Sequence, residues 1–140
     1  MATVAATTVE RTLFKGLVWI GILLNWTVGA LALLYPGWLV ATLALGPLQD
    51  GVWITNYAVL LMLIGTFYIP AARDPDRYRA NAWLLVMCRL LPAAVFFAGT
   101  SSGLMPAGFA AMGMADAVLG IATLVLLARI SRTAPAAARA

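Results

Sequence analysis

The sequence predicts an all-α polytopic membrane protein, a bundle of four transmembrane helices. Three observations carry that prediction. The chain is 140 residues long, 64% hydrophobic and only 10% charged, where soluble domains run at about 45 to 50% apolar and about 25% charged. Its uncharged runs exceed the roughly 18 residues that signal a spanning helix. Eight of its nine cations gather in three short segments, with long apolar stretches between them.

Residues 1–11 read as a solvated, mobile arm before the membrane domain, which is expected to cover 12–130. The first uncharged run starts after Lys15, and Pro36-Gly37 interrupts it, so the first helix is expected at about 12–35. Ala30-Leu31-Ala32 could pass for a signal-peptide cleavage site, but the apolar stretch continues to Tyr35 and an uncleaved helix is expected. The nine residues Trp38 to Gly46 reach only about 13 Å as a helix, too short for a crossing, and are read as an interfacial or re-entrant segment.

The second helix is expected at 52–72, with Trp53, Tyr57 and Tyr68 as interfacial anchors and an end near Pro70. In Arg73-Asp74-Pro75-Asp76-Arg77-Tyr78-Arg79, an N-cap aspartate, a proline at the first helical position and an early acid predict a helix start. The 49 residues between Arg79 and Arg129 hold two further spans, at 80–99 and 107–129, joined by a turn at Thr100 to Pro106. Residues 131–140 form a tail.

Charge sets the expected orientation. Arg11 and Lys15 precede the first helix, Arg73, Arg77 and Arg79 lie between the second and third, and Arg129, Arg132 and Arg139 follow the fourth, eight of nine cations on one side. The opposite loops carry only Asp50, so the positive-inside rule places both termini in the cytoplasm. Compact topology and composition fit an inner membrane of bacterial type. The cations are dispersed over three segments without aromatic interleaving, which points away from nucleic acid. Arg73, Arg77 and Arg79 are read as lipid-phosphate or partner contacts.

Absences exclude several chemistries. There is no histidine, so His-based haem, zinc and acid–base sites cannot be built from this chain alone. Cys88 is the single cysteine and reads as a small apolar residue. No phosphate loop, nucleophile elbow or carboxylate pair at helical spacing occurs, so no catalytic residue and no metal site is assigned.

Two charges remain inside the membrane. Arg89 lies about ten residues into the third helix and Asp116 about ten into the fourth from the opposite end, so both fall near the midplane. An unpaired charge there costs about 2.5 to 3.5 kcal/mol, and the two are expected to pair. The pair fits either a register-fixing structural contact or a functional site, such as a proton relay, an anionic substrate site or a quinone-headgroup contact. Phe109, Gly113, Asp116, Gly120 and Thr123 share a face, as do Gly21, Asn25, Gly29 and Ala32, and these faces are expected to pack. Asn25 is expected to face inward as a helix-packing polar group, through an interhelical hydrogen bond or a ligand contact. Pro92 is expected to kink the third helix and free the Cys88 carbonyl. Trp19, Trp26, Trp38, Trp53 and Trp83 read as lipid-facing or interfacial, with packing on a pigment or quinone as the other reading.

The layout resembles the small four-helix membrane proteins grouped as DoxX-like. The residues that carry the resemblance are Asn25 in an Asn-x-x-x-Gly helix, Tyr35-Pro36 followed by Leu45-Gly46-Pro47, the run Phe67 to Arg79, and Asp116 in a small-residue fourth helix, across about 12–130. The resemblance implies an accessory subunit that anchors or stabilises a larger membrane electron-transfer complex beside a quinone site. It implies contact with quinone or lipid, and partners that are membrane lipids and other membrane subunits, in a hetero-complex or homo-oligomer. The residues alone also allow a stand-alone carrier or binding protein for a small hydrophobic or weakly anionic compound at Arg89 and Asp116.

Overall fold

A computed structural model describes residues 2–47 and 51–133. The described chain is all-helical: α1 (Ala2–Leu34), α2 (Pro36–Thr42), α3 (Gly51–Phe67), α4 (Ile69–Arg73), α5 (Arg79–Ser101) and α6 (Gly108–Thr133). Four stretches are long and apolar enough to cross a membrane, Thr8–Leu34, Gly51–Arg73, Arg79–Ser101 and Gly108–Arg132. The protein is a four-helix membrane bundle.

α1 begins at Ala2, so the segment expected as a free arm is backbone of the first helix. No proline or glycine interrupts residues 2–15, and once a helix is nucleated each added residue gains a hydrogen bond. Phe14, Val18 and Ile22, at steps of four, are almost wholly buried. The same side of α1 carries Gly21, Asn25, Gly29 and Ala32, all buried. Proline disfavours the helical conformation in the residue before it, and Tyr35 is accordingly non-helical before Pro36 opens α2. That short helix has seven residues, turns Leu39 and Val40 inward, and leads into a turn with Ala44 at φ +50° and Gly46 at φ +91°.

The second span is broken in a way the sequence reading did not anticipate. α3 stops at Phe67, and the Tyr68 amide reaches back only to Gly65 O, at 3.2 Å, before α4 resumes at Ile69. Pro70 has no N–H to continue the ladder. The 74–78 segment is also corrected: it is a turn, and α5 starts at Arg79 rather than at Asp74. Asp74 Oδ1 accepts the Arg77 amide at 3.1 Å, and the Tyr78 amide donates to Asp74 O at 3.0 Å. Aspartate thus caps an isolated turn, a role it fills as readily as a helix start. α5 then runs continuously through Pro92, with Ala82, Leu85, Val86, Arg89 and Ala93 on its buried face.

α1 packs on α3, α4 and α6, and α5 packs most extensively on α6. Small residues allow the α5–α6 approach: a Cβ on Gly120 would stand 2.7 Å from Leu90 Cδ2, and one on Gly113 would stand 3.1 Å from Phe96 Cβ. α3 makes no comparable contact with α5 or α6. At one end, Arg11 pairs with Asp76 at 2.8 Å and Arg129 with Glu10 at 3.7 Å, so the start of α1, the 74–78 turn and the end of α6 lie together. At the other end, the turn after α2 meets the start of α6, where a Cβ on Gly108 would overlap the Leu43 carbonyl oxygen. Asp50, expected in that region, lies outside the described residues.

Candidate functional site

The stripe Ala82, Leu85, Val86, Arg89, Ala93 places Arg89 on the inner face of α5, where it is 6% exposed. Asp116 comes from α6, between Gly113 and Gly120, and Arg89 Nη1 donates to its Oδ1 at 2.6 Å. Nη2 donates to the backbone oxygen of Gly21 on α1, at 2.8 Å. Only glycine permits that approach, because a Cβ at position 21 would stand 2.7 Å from Nη2. The Tyr68 ring, at the break between α3 and α4, lies 5.7 Å from the guanidinium carbon, within cation–π range. One arginine therefore ties all four spans, and its charge is matched by Asp116.

Beside the pair is a cavity of about 330 Å³, with Arg89, Asp116, Tyr68 and Cys88 at one part of its lining and Leu43, from the turn after α2, at another. Its position follows from the packing, since α3 leans on α1 and leaves α5 and α6 to close on each other. Proline and small residues, Pro92, Ala111 and Ala115, face the space. The walls are mainly apolar, from Leu24, Val28, Leu61, Ile64, Phe96 and Met112.

Asn25 and Tyr57 also line this space. Asn25 is only 5% exposed, and its Cβ side packs near Gly65, where an added Cβ would stand 3.3 Å away. Its amide makes no interhelical hydrogen bond to the described residues, and because no fully buried side-chain N or O among them lacks a partner, its polar atoms open onto the cavity. A buried amide normally has a partner; this one lines the cavity. The Tyr57 hydroxyl likewise has no hydrogen-bond partner among the described residues, and it lies within electrostatic reach of both Asp116 and Arg89. Asp116 Oδ2 accepts no hydrogen bond among these residues, its Oδ1 being the atom bound by Arg89. The cavity thus presents an ion pair, an amide and a hydroxyl to an otherwise apolar space.

Tyr57 and Tyr68 correct the sequence reading: instead of anchoring the second span at the membrane interfaces, both turn inward, and Tyr68 is 2% exposed. Their signal was the spacing Tyr57, Leu61, Ile64, Tyr68, steps of four, three and four that share one helical face. Trp26 is also corrected, since its indole N–H donates to Met62 O at 3.2 Å within the α1–α3 seam. Trp19, Trp38, Trp53 and Trp83 are exposed, and no tryptophan lines the cavity. Cys88 is a half-buried free thiol. Arg73, Arg77 and Arg79 lie at the end of the bundle that holds the Arg11–Asp76 pair, outside the cavity.

Asp116 is paired with Arg89 through Oδ1, and no group of three or more metal-ligating side chains occurs among the described residues. No family model matches the chain, and no curated protein and no solved structure matches it.

Proposed function

We propose that this protein is a membrane-embedded binding or carrier protein for a small, mainly apolar compound with a polar head. The observation that carries this reading is Asn25: a side chain only 5% exposed, whose amide has no hydrogen bond to the described residues and opens onto an apolar cavity beside an ion pair. The cavity's volume of about 330 Å³ falls in the range of small-molecule sites, roughly 300 to 1,000 Å³.

The accessory-subunit reading, in which the module braces a larger electron-transfer complex beside a quinone, rests on the DoxX-like layout and a broad apolar exterior. Leu23, Leu60, Leu63, Val95 and Ile121 are each more than half exposed. Lipid satisfies that exterior as well as a partner helix does, whereas lipid on the outside does nothing for Asn25. The cavity therefore favours binding.

Native mass spectrometry of the gently extracted full-length protein tests the proposal. The expected result is one non-lipid small molecule per chain, lost when Ala115→Phe fills the cavity. A chain that carries no small molecule, whether alone or with a stoichiometric protein partner, would overturn it.

A further inference from the structure

Resting on that binding reading, the side chains around the cavity also specify what kind of head group it takes. We infer that the site selects an uncharged compound bearing a hydroxyl group, an alcohol or phenol, over an anion, a cation or a bare carbonyl compound.

The argument begins with charge. Arg89 and Asp116 meet at 2.6 Å, so the site has no net charge to offset that of a ligand. The guanidinium is already engaged by Asp116 through Nη1, by Gly21 O through Nη2 and by the Tyr68 ring. A carboxylate would have to displace Asp116 and leave that charge unpaired near the midplane, or else sit beside it unpaired itself. An ammonium group would find Asp116 but would also face Arg89, whose own partner it would be taking.

Hydrogen-bond inventory then decides among neutral heads. Asp116 Oδ2 only accepts, the Asn25 amide both donates and accepts, and the Tyr57 hydroxyl does either. None of the three has a protein partner at those atoms among the described residues. A ligand hydroxyl donates once and accepts as well, so a single oxygen serves Asp116 Oδ2 on one side and Asn25 or Tyr57 on the other. A ketone or quinone carbonyl can accept from Asn25 or Tyr57 but has no proton to donate, so it leaves Asp116 Oδ2 without the second bond that a hydroxyl supplies. The rest of the ligand has to be compact and apolar, because Leu61, Ile64, Phe96 and Met112 surround it in about 330 Å³.

Equilibrium dialysis against the full-length protein in lipid nanodiscs, corrected with protein-free nanodiscs, provides the test. The probes share one skeleton: para-propylphenol, its methyl ether para-propylanisole, para-propylbenzoate and propylbenzene. The phenol should bind about tenfold tighter than the ether or propylbenzene, and the benzoate more weakly than either. Asn25→Leu and Tyr57→Phe should each shrink the phenol's advantage over propylbenzene to about threefold, and an unchanged helical circular-dichroism spectrum shows that each variant is folded.

If the benzoate binds most tightly, or the ether matches the phenol, the hydroxyl assignment is overturned while the binding site itself stands, provided that Ala115→Phe abolishes the signal. If none of the four probes binds above the protein-free control, both the assignment and the binding reading beneath it are overturned.

Discussion

Replacing Arg89 by methionine removes a cation whose side chain is 7% exposed and leaves Asp116, 20% exposed, without its partner. Replacing Asp116 by leucine does the reverse, leaving Arg89 with Gly21 O and the Tyr68 ring but no counter-charge. Each change strands one charge near the midplane, at about 2.5 to 3.5 kcal/mol, close to the roughly 3 to 5 kcal/mol typical of breaking a buried pair from one side. The double variant Arg89→Met/Asp116→Leu strands nothing. It loses the Gly21 bond and the Tyr68 contact, together worth about 1 kcal/mol, and gains apolar packing. We therefore expect each single variant to lose about 3 kcal/mol and the double to lie within about 1 kcal/mol of the wild type, a non-additivity of about 5 kcal/mol.

Reversible unfolding in mixed micelles, followed by circular dichroism, measures these terms. The reasoning is refuted if the double variant loses the sum of the two singles, or if either single costs less than about 1 kcal/mol. The charge exchange Arg89→Asp/Asp116→Arg adds a finer control. An aspartate at 89 cannot donate to Gly21 O, so the exchange should recover the Coulombic part alone and settle between the singles and the wild type.

Other substitutions follow from the same contacts. Gly21→Ala puts a Cβ 2.7 Å from Arg89 Nη2; it should lower stability by about 1 to 3 kcal/mol, and the loss should largely vanish in an Arg89→Met background, read in the same unfolding assay. Gly108→Ala collides with the Leu43 carbonyl, a backbone atom that cannot rotate away, so it should destabilise at least as much and show no such rescue. Arg11→Ala breaks a pair whose side chains are 33% and 46% exposed, and the unfolding free energy should move by less than about 1 kcal/mol. Asn25→Leu removes an amide that opens onto the cavity and should leave stability within about 1 kcal/mol of the wild type, while weakening ligand binding; a loss above about 1 kcal/mol would show that the amide supports the fold.

The four spans were legible because composition alone makes them membrane helices, and Pro36 marked the end of α1 through a steric rule that needs no tertiary information. The Arg89–Asp116 pair was legible for an energetic reason: two charges at equal depth on neighbouring antiparallel helices leave each other as the obvious partner. What stayed hidden was helix rotation. α3 is so apolar overall that the shared face of Tyr57, Leu61, Ile64 and Tyr68 had little amphipathic contrast to set it apart as the inward one. The Gly21 carbonyl could not be foreseen either, since a backbone acceptor within a helix leaves no mark on the sequence beyond the small residue that uncovers it. Asp74 misled because the same side chain caps a turn and a helix, and the difference lies in Tyr78, whose φ of −105° and ψ of 48° interrupt the helix before Arg79.

Where the polar groups fall is itself an argument about purpose. A buried ion pair can often be exchanged for well-packed apolar residues with no loss of stability, so Arg89 and Asp116 do not account for themselves as supports of the bundle. Asn25 and Tyr57 account for themselves even less, as they bond to nothing in the fold among the described residues. Were these four groups merely tolerated, they would have no reason to converge. They come instead from all four spans, α1, α3, α5 and α6, and line the one space where α3 fails to close on α5 and α6. Tight packing elsewhere in the bundle, through Gly113, Gly120 and Gly29, shows that the chain can bring its helices together. The gap beside Arg89 coincides with these polar groups, and that coincidence is what the binding proposal rests on.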